Sequence, residues 1–200
     1  MPLQNRVDPF GQIIVTAERG AWMGNRGLLH DEQKRVRRPW RLKAWLTCRL
    51  EFRARRREVM SPGHYTELFF MDEATAFAAG HRPCCECRRT DYNRFKAAAE
   101  AGLGQTLPMA RDMDDMLHAD RIDAQGGKRT WYASLTDVPD GAMVRVNDAP
   151  WLKWRGALHR WTPGGYAGLR TLDLGKAEVL TPPLTVAALT AGYVPQVRLD

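Results

Sequence analysis

The stretch that most constrains this chain is WRLKAWLTCRLEFRA, residues 40 to 54. Trp40, Leu42, Ala44, Leu46, Cys48, Leu50, Phe52 and Ala54 take every even position. Arg41, Lys43, Thr47, Arg49, Glu51 and Arg53 take odd positions, with Trp45 as the apolar exception. A period of two puts alternate side chains on opposite faces of a strand. The pattern predicts one long strand with a buried even face and a wet, cationic odd face. Side chains on one face stand about 6.8 Å apart, twice the rise per residue. That is close to the spacing of successive phosphates along a nucleic-acid strand. Trp45, amid the cations, is placed either to stack on a base or to pack against a neighbouring element. Cys48 falls on the even face and reads as a small core hydrophobe.

Charge sharpens the same point. The net charge is +7, yet eleven Lys and Arg residues between Lys34 and Arg57 face the single acid Glu51. That segment alone holds +10, which leaves −3 for the rest of the chain. Such asymmetry points to a polyanionic partner, nucleic acid ahead of an acidic membrane surface. A solvated arginine-rich face without a partner is the alternative. Two hundred residues predict one domain that buries enough apolar surface to fold without staples. A division into 1–125 and a small β-rich 126–200 is the other organisation considered. No apolar run approaches a membrane span, and MPLQNRVDPFGQ lacks a secretory pattern. The expectation is a cytoplasmic protein with reduced cysteines and no membrane partner.

Along the chain, FGQIIVTAERG (10 to 20) predicts a short strand, and the glycines at 20, 24 and 27 predict a surface loop or an anion-binding one. After a turn at Ser61-Pro62-Gly63, HYTELFFM predicts a partner strand. Asp72 is the expected cap of a short helix ended by Gly80. Thr90 is the expected cap of a second helix ended at Gly102, and a third spans 110 to 123. The Trp-, Gly- and Pro-rich C-terminal third predicts short antiparallel strands with turns at Asn147-Asp148 and Pro163-Gly164-Gly165. A closing helix is expected with Thr181 as cap and Pro182 and Pro183 at its start. The fold class is α+β: an antiparallel sheet with a long basic strand, a few short helices and a Trp-rich β segment.

GHRPCCECRR, residues 80 to 89, is the densest chemical stretch. Cys84-x-x-Cys87 has the spacing of half a zinc site, since two thiolates on such a knuckle reach one tetrahedral ion. Further ligands would come from Cys48, Cys85, His64 or His81. The same thiols, near Arg82, Arg88 and Arg89, also suit redox chemistry, because cations stabilise a thiolate.

The longer stretch FFMDEATAFAAGHRPCCECRR, 69 to 89, resembles the latter half of the zinc-binding module of the Ada DNA alkylation-repair protein and of related modules on some nucleases. The likeness covers an Ala-rich short helix and the Gly-x-Arg-Pro-Cys-x-x-Cys-Arg ending. That family carries a second cysteine pair roughly thirty residues upstream, where this chain has Arg53 to Arg57 and no cysteine. The resemblance implies work on DNA rather than RNA, with zinc at Cys84 and Cys87.

MDDMLHAD supplies the acidic candidate. On a helix Asp114, Asp115 and His118 share a face, a donor set suited to Mg²⁺ or Mn²⁺ and to phosphodiester hydrolysis. A solvated helix face is the alternative. His64, Glu67 and Asp72 form a second acidic candidate, although strand parity sets Glu67 opposite His64. His159 reads as packing or turn structure. The functional expectation is a DNA-processing or damage-response protein, in its enzymatic form a metal-dependent endonuclease. Its phosphate-contacting residues would be Arg41, Lys43, Arg49, Arg53 and Arg55, with Trp45 on a base and Arg82, Arg88 and Arg89 beside the cysteines. A non-catalytic nucleic-acid-binding module with a structural cysteine knuckle is the alternative, and a thiol-redox protein the second.

Overall fold

The computed structural model describes residues 1–53, 58–171 and 175–199. Among these residues two six-stranded sheets carry the chain. The first is built from β1 (Gln4–Val7), β2 (Ile13–Val15), β3 (Trp22–Asn25), β4 (Leu46–Cys48), β5 (Leu68–Phe70) and β6 (Arg82–Pro83). Their spatial order is β2-β1-β5-β3-β4-β6. The β1–β5 and β4–β6 pairs are parallel and the others antiparallel. The second sheet holds β7 (Trp131–Ser134), β8 (Met143–Val146), β9 (Ala149–Trp154), β10 (Ala157–Thr162), β11 (Gly165–Thr171) and β12 (Lys176–Val179). It is antiparallel throughout, in the order β11-β10-β9-β8-β12-β7. The α+β class and the Trp-rich β segment are as expected, with two sheets where one was predicted.

Among the described residues four helices complete the fold: α1 (Glu73–Ala78), α2 (Arg89–Leu103), α3 (Ala110–Arg121) and α4 (Pro183–Thr190). The Asp72 carboxylate caps α1 by accepting from the Thr75 N–H at 2.8 Å. The other caps differ from expectation. Thr90 lies inside α2, and the left-handed cap at its end is Gly104 (φ 66°). Gly102 instead sits where α2 meets the Ala187 backbone of α4, an approach that any Cβ would block. At α4, Thr181 Oγ1 accepts from the Met143 N–H, and Asp120 of α3 accepts from the Leu184 N–H at 2.9 Å. One buried cluster draws on Phe77 of α1, Phe95 of α2, Leu117 of α3, Val144, Leu158 and Val179 of the second sheet, and Leu184 of α4. The core thus crosses residue 125 and unites the helices with the C-terminal strands.

The long strand is the main correction. Among its described residues, 40 to 53, only Leu46–Cys48 pairs, and the even face does not form: Leu42 and Leu50 are about half exposed, at 49% and 52%. The chain turns before β4, because the Arg41 and Leu42 N–H groups both donate to the Arg26 carbonyl at 3.0 Å. Trp45 is buried, with its indole N–H donated to the Leu42 carbonyl at 2.8 Å. The segment expected over 10 to 20 pairs only at Ile13–Val15, and that over 64 to 71 only at Leu68–Phe70. In β3, Gly24 makes room for the Phe70 ring rather than for an anion.

Candidate metal centre and its basic surround

The parallel pairing of β4 with β6 builds the centre. Thr47 lies opposite Pro83, and the Cys84 N–H donates to the Thr47 carbonyl at 3.0 Å. Cys48 therefore ends its strand beside Cys84. A turn closed by the Arg88 N–H on the Cys84 carbonyl, 3.1 Å, folds Cys87 back over the pair just before α2 begins. The three Sγ atoms lie within 4.8 Å of one another, and all three side chains are largely buried. Cys85 and Glu86 form the exposed tip. Cys48 is thus a member of this cluster rather than a plain core hydrophobe. None of the four cysteines forms a disulfide.

The thiols share their protons unequally. Hydrogen bonds from Cys48 and Cys87 bring the Cys84 pKa down to about 2, helped by the backbone N–H of Glu86 at 3.4 Å. Bonding to Cys84 and Cys87, with burial behind it, pushes the Cys48 thiol far up. One thiolate held by two thiols is how three close sulfurs limit their mutual repulsion. A soft divalent cation would take the place of the retained protons. The cluster can hold a metal ion. A cavity of about 180 Å³ above it, lined by Met23, Asn25, Arg49, Leu50, Tyr65 and Glu86 among others, leaves room for a fourth ligand.

The cations of the sequence divide into two groups. Arg41, Lys43, Arg49, Arg53 and Arg89 are exposed. Arg53 reaches Glu86 at 3.7 Å, and Lys43 pairs with Asp115 at 2.7 Å. Arg82 and Arg88, which flank the cysteines, are buried and internally engaged. Arg82 grips Asp114 through two bonds of 2.7 Å, tying β6 to α3. Arg88 pairs with Glu73 at 2.6 Å and lies 3.9 Å over the Trp22 ring. Glu73 in turn accepts from Tyr193 Oη and the Gln196 N–H, so the knuckle is fixed to the C-terminal segment. Neither guanidinium faces solvent. Trp45 is enclosed between Arg26 and Arg121 rather than presented to a base. Arg55 lies outside the described residues.

The acidic candidates do not converge. Asp114 is taken by Arg82, Asp115 by Lys43, and His118 Nδ1 sits 3.3 Å from an Arg121 nitrogen with its ring edge-on to Trp40. Among the described residues the cysteine cluster alone brings three metal-ligating side chains together. His64 is exposed on its turn, Glu67 accepts from the Met60 N–H, and Asp72 caps α1. The His159 ring packs edge-on toward Tyr166. His81, expected as a possible further ligand, is instead buried against Trp45 and Phe70. The cations near it, buried Arg26 and Arg121 and half-buried Lys128, were not singled out from the sequence. The basic signal of the chain was read from its density, and these three lie outside the dense segment.

No protein-family model, no curated protein and no solved structure matches this chain. No helix among the described residues is long and apolar enough to cross a membrane.

Proposed function

We propose that this chain is a nucleic-acid-binding protein, with DNA preferred to RNA, whose contact surface is organised by zinc at Cys48, Cys84 and Cys87. The observation that carries the reading is the convergence of three thiols from two chain segments, directly beside an exposed basic strip. Thiolate donors select zinc or another soft ion over Mg²⁺. Three protein ligands leave a fourth position for water or another donor. Holding the 84–87 turn against β4 would fix Arg49, Arg53 and Arg89 relative to Arg41 and Lys43, so that phosphates meet a set surface. The likeness of residues 69–89 to DNA-repair modules supports the same reading. With Asp114 engaged by Arg82, a binding role is favoured over a metal-dependent endonuclease using Asp114, Asp115 and His118.

The test is elemental analysis of the purified protein, then gel retardation of duplex DNA, single-stranded DNA and RNA before and after chelation. Stoichiometric zinc, lost in Cys48→Ser, and retardation that weakens in Arg49→Glu and Arg53→Glu with a smaller salt slope are expected. A metal-free protein with a rapidly alkylated Cys84 would replace this reading with thiol chemistry. Cleavage of plasmid in Mg²⁺ that is abolished by Asp115→Ala would restore the nuclease.

A further inference from the structure

A second site lies away from the thiols, in a cavity of about 290 Å³ between the first sheet and the end of α3. Phe10, Pro39 and Trp40 line its apolar side, and Arg26, Trp45, Arg121 and Lys128 line the rest. Arg26 and Arg121 both stack on the Trp45 ring, each guanidinium carbon 4.0 Å from its centre. Both arginines are essentially inaccessible to solvent, at 0% and 1% exposure.

Their hydrogen bonds go almost wholly to carbonyls. Arg26 donates to Gly11 O and Pro39 O and to His81 Nε2, and Arg121 donates to Gly80 O and Lys43 O. Arg26 Nη2 and Arg121 Nε have no partner. Lys128 Nζ donates to the Ala78 carbonyl at 2.6 Å. Among the described residues no carboxylate forms an ion pair with any of the three. Asp8, whose charge reaches Arg26 and Lys128, accepts from the Gln12 N–H and makes no ion pair with either, and the charges of Asp114 and Asp120 reach Arg121 without pairing with it. The consequence is visible in all three cations: burial first, and then their mutual repulsion, lowers Arg26 to about 9 and Lys128 to about 7, while burial lowers Arg121 to about 9.

Buried charges are ordinarily paired. Cation–π contact with one indole eases this cluster without supplying the missing negative charge. The chain also makes a backbone concession to build it, since Gly80 (φ 87°) lets the Arg121 stem lie where a Cβ would clash. We propose that this cavity binds the phosphate group of a phosphomonoester, with Arg26, Arg121 and Lys128 as its counter-charges and Trp40 and Phe10 against the organic part. The positive charge of the three groups and the unpartnered Arg26 Nη2 and Arg121 Nε suit a phosphate anion, and the size admits a small ester or the end of a strand rather than a duplex. The site is independent of the zinc reading and of the basic strip.

The experiment is calorimetric and ³¹P NMR titration of the whole protein with inorganic phosphate and phenyl phosphate, against NaCl at matched ionic strength. Saturable binding is expected, tighter for phenyl phosphate, and weakened at least tenfold in Lys128→Met and Arg121→Lys. Lys128 is half-buried at the wall, so K128M tests the site even if the arginine variant does not fold. A 5′-phosphorylated oligonucleotide compared with its 5′-hydroxyl form separates the two sources of phosphate: a phosphate-dependent gain above phenyl phosphate assigns a strand end, and none assigns a small ester. No saturable response beyond that of NaCl, or equal binding by wild type and K128M, overturns the proposal.

Discussion

Among the described residues four arginines are buried, and they fall into two contrasting pairs. Arg82 and Arg88 each hold a carboxylate, Asp114 and Glu73, in a closed ion pair. Arg26 and Arg121 share one tryptophan and hold none. The paired arginines keep their positive charge easily, since their carboxylates outweigh the cost of burial. The unpaired ones are pulled down to about 9 by that same burial. A closed pair joins elements and asks for nothing more; an open pair stores a demand for an anion. Their positions agree with this division. Arg82 and Arg88 brace the cysteine knuckle from behind, and Arg26 and Arg121 lie at the floor of a cavity.

Breaking a closed pair should have the largest effect. Arg88→Ala leaves Glu73 charged and buried, and a loss of about 3–5 kcal/mol in chemical denaturation is expected. A loss under 1 kcal/mol would mean that the pair does not hold the knuckle to the C-terminal segment. Arg26→Met should cost less, about 1–2 kcal/mol, because it strands carbonyl acceptors but breaks no ion pair. If R26M proved as damaging as R88A, the contrast between the pairs would fail.

Acid should act on the open pair through His81. Burial, and then the charges of Arg26 and Arg121, hold its imidazole well below the ordinary histidine range. The unfolded chain therefore takes up a proton near pH 6.5 while the folded one does not. Stability is complete above that value and falls as pH drops toward the folded pKa, by at most about 1.4 kcal/mol per pH unit. Denaturant midpoints at pH 7.5 and 5.5 measure this, and His81→Gln should flatten the slope. The smallest effect belongs to the surface. Lys43 and Asp115 are 57% and 42% exposed, so Asp115→Asn should change stability by about 0–1 kcal/mol. A larger loss would give that pair a role beyond the solvated surface.

Several elements were legible because their signals are local. Asp72 before an Ala-rich run, paired prolines at 182 and 183, and the turns of the last third each act within a few residues. The 40–54 alternation was equally clear and did not become a strand. Its register depended on a partner for the whole length, and hydrogen bonds to Arg26 O and the burial of Trp45 took the chain elsewhere. The cysteine spacing identified Cys84 and Cys87 as half a site. Cys48 stood among four candidates for a further ligand, and the same alternation assigned it to the core.

By itself, then, the sequence determined the class of fold, the short helices, the knuckle and the exposed cations, since propensity, capping and spacing operate over one or two turns of chain. Only the tertiary structure decided which arginines would be closed and which left open, and which cysteine would complete the cluster. Those outcomes depend on residues 36 to 95 positions apart, such as Cys48 with Cys84 and Arg26 with Arg121, meeting across β-pairing and helix packing. Charge is additive along a sequence, but its energy depends on burial and on the nearest opposite charge, and both are properties of the folded chain.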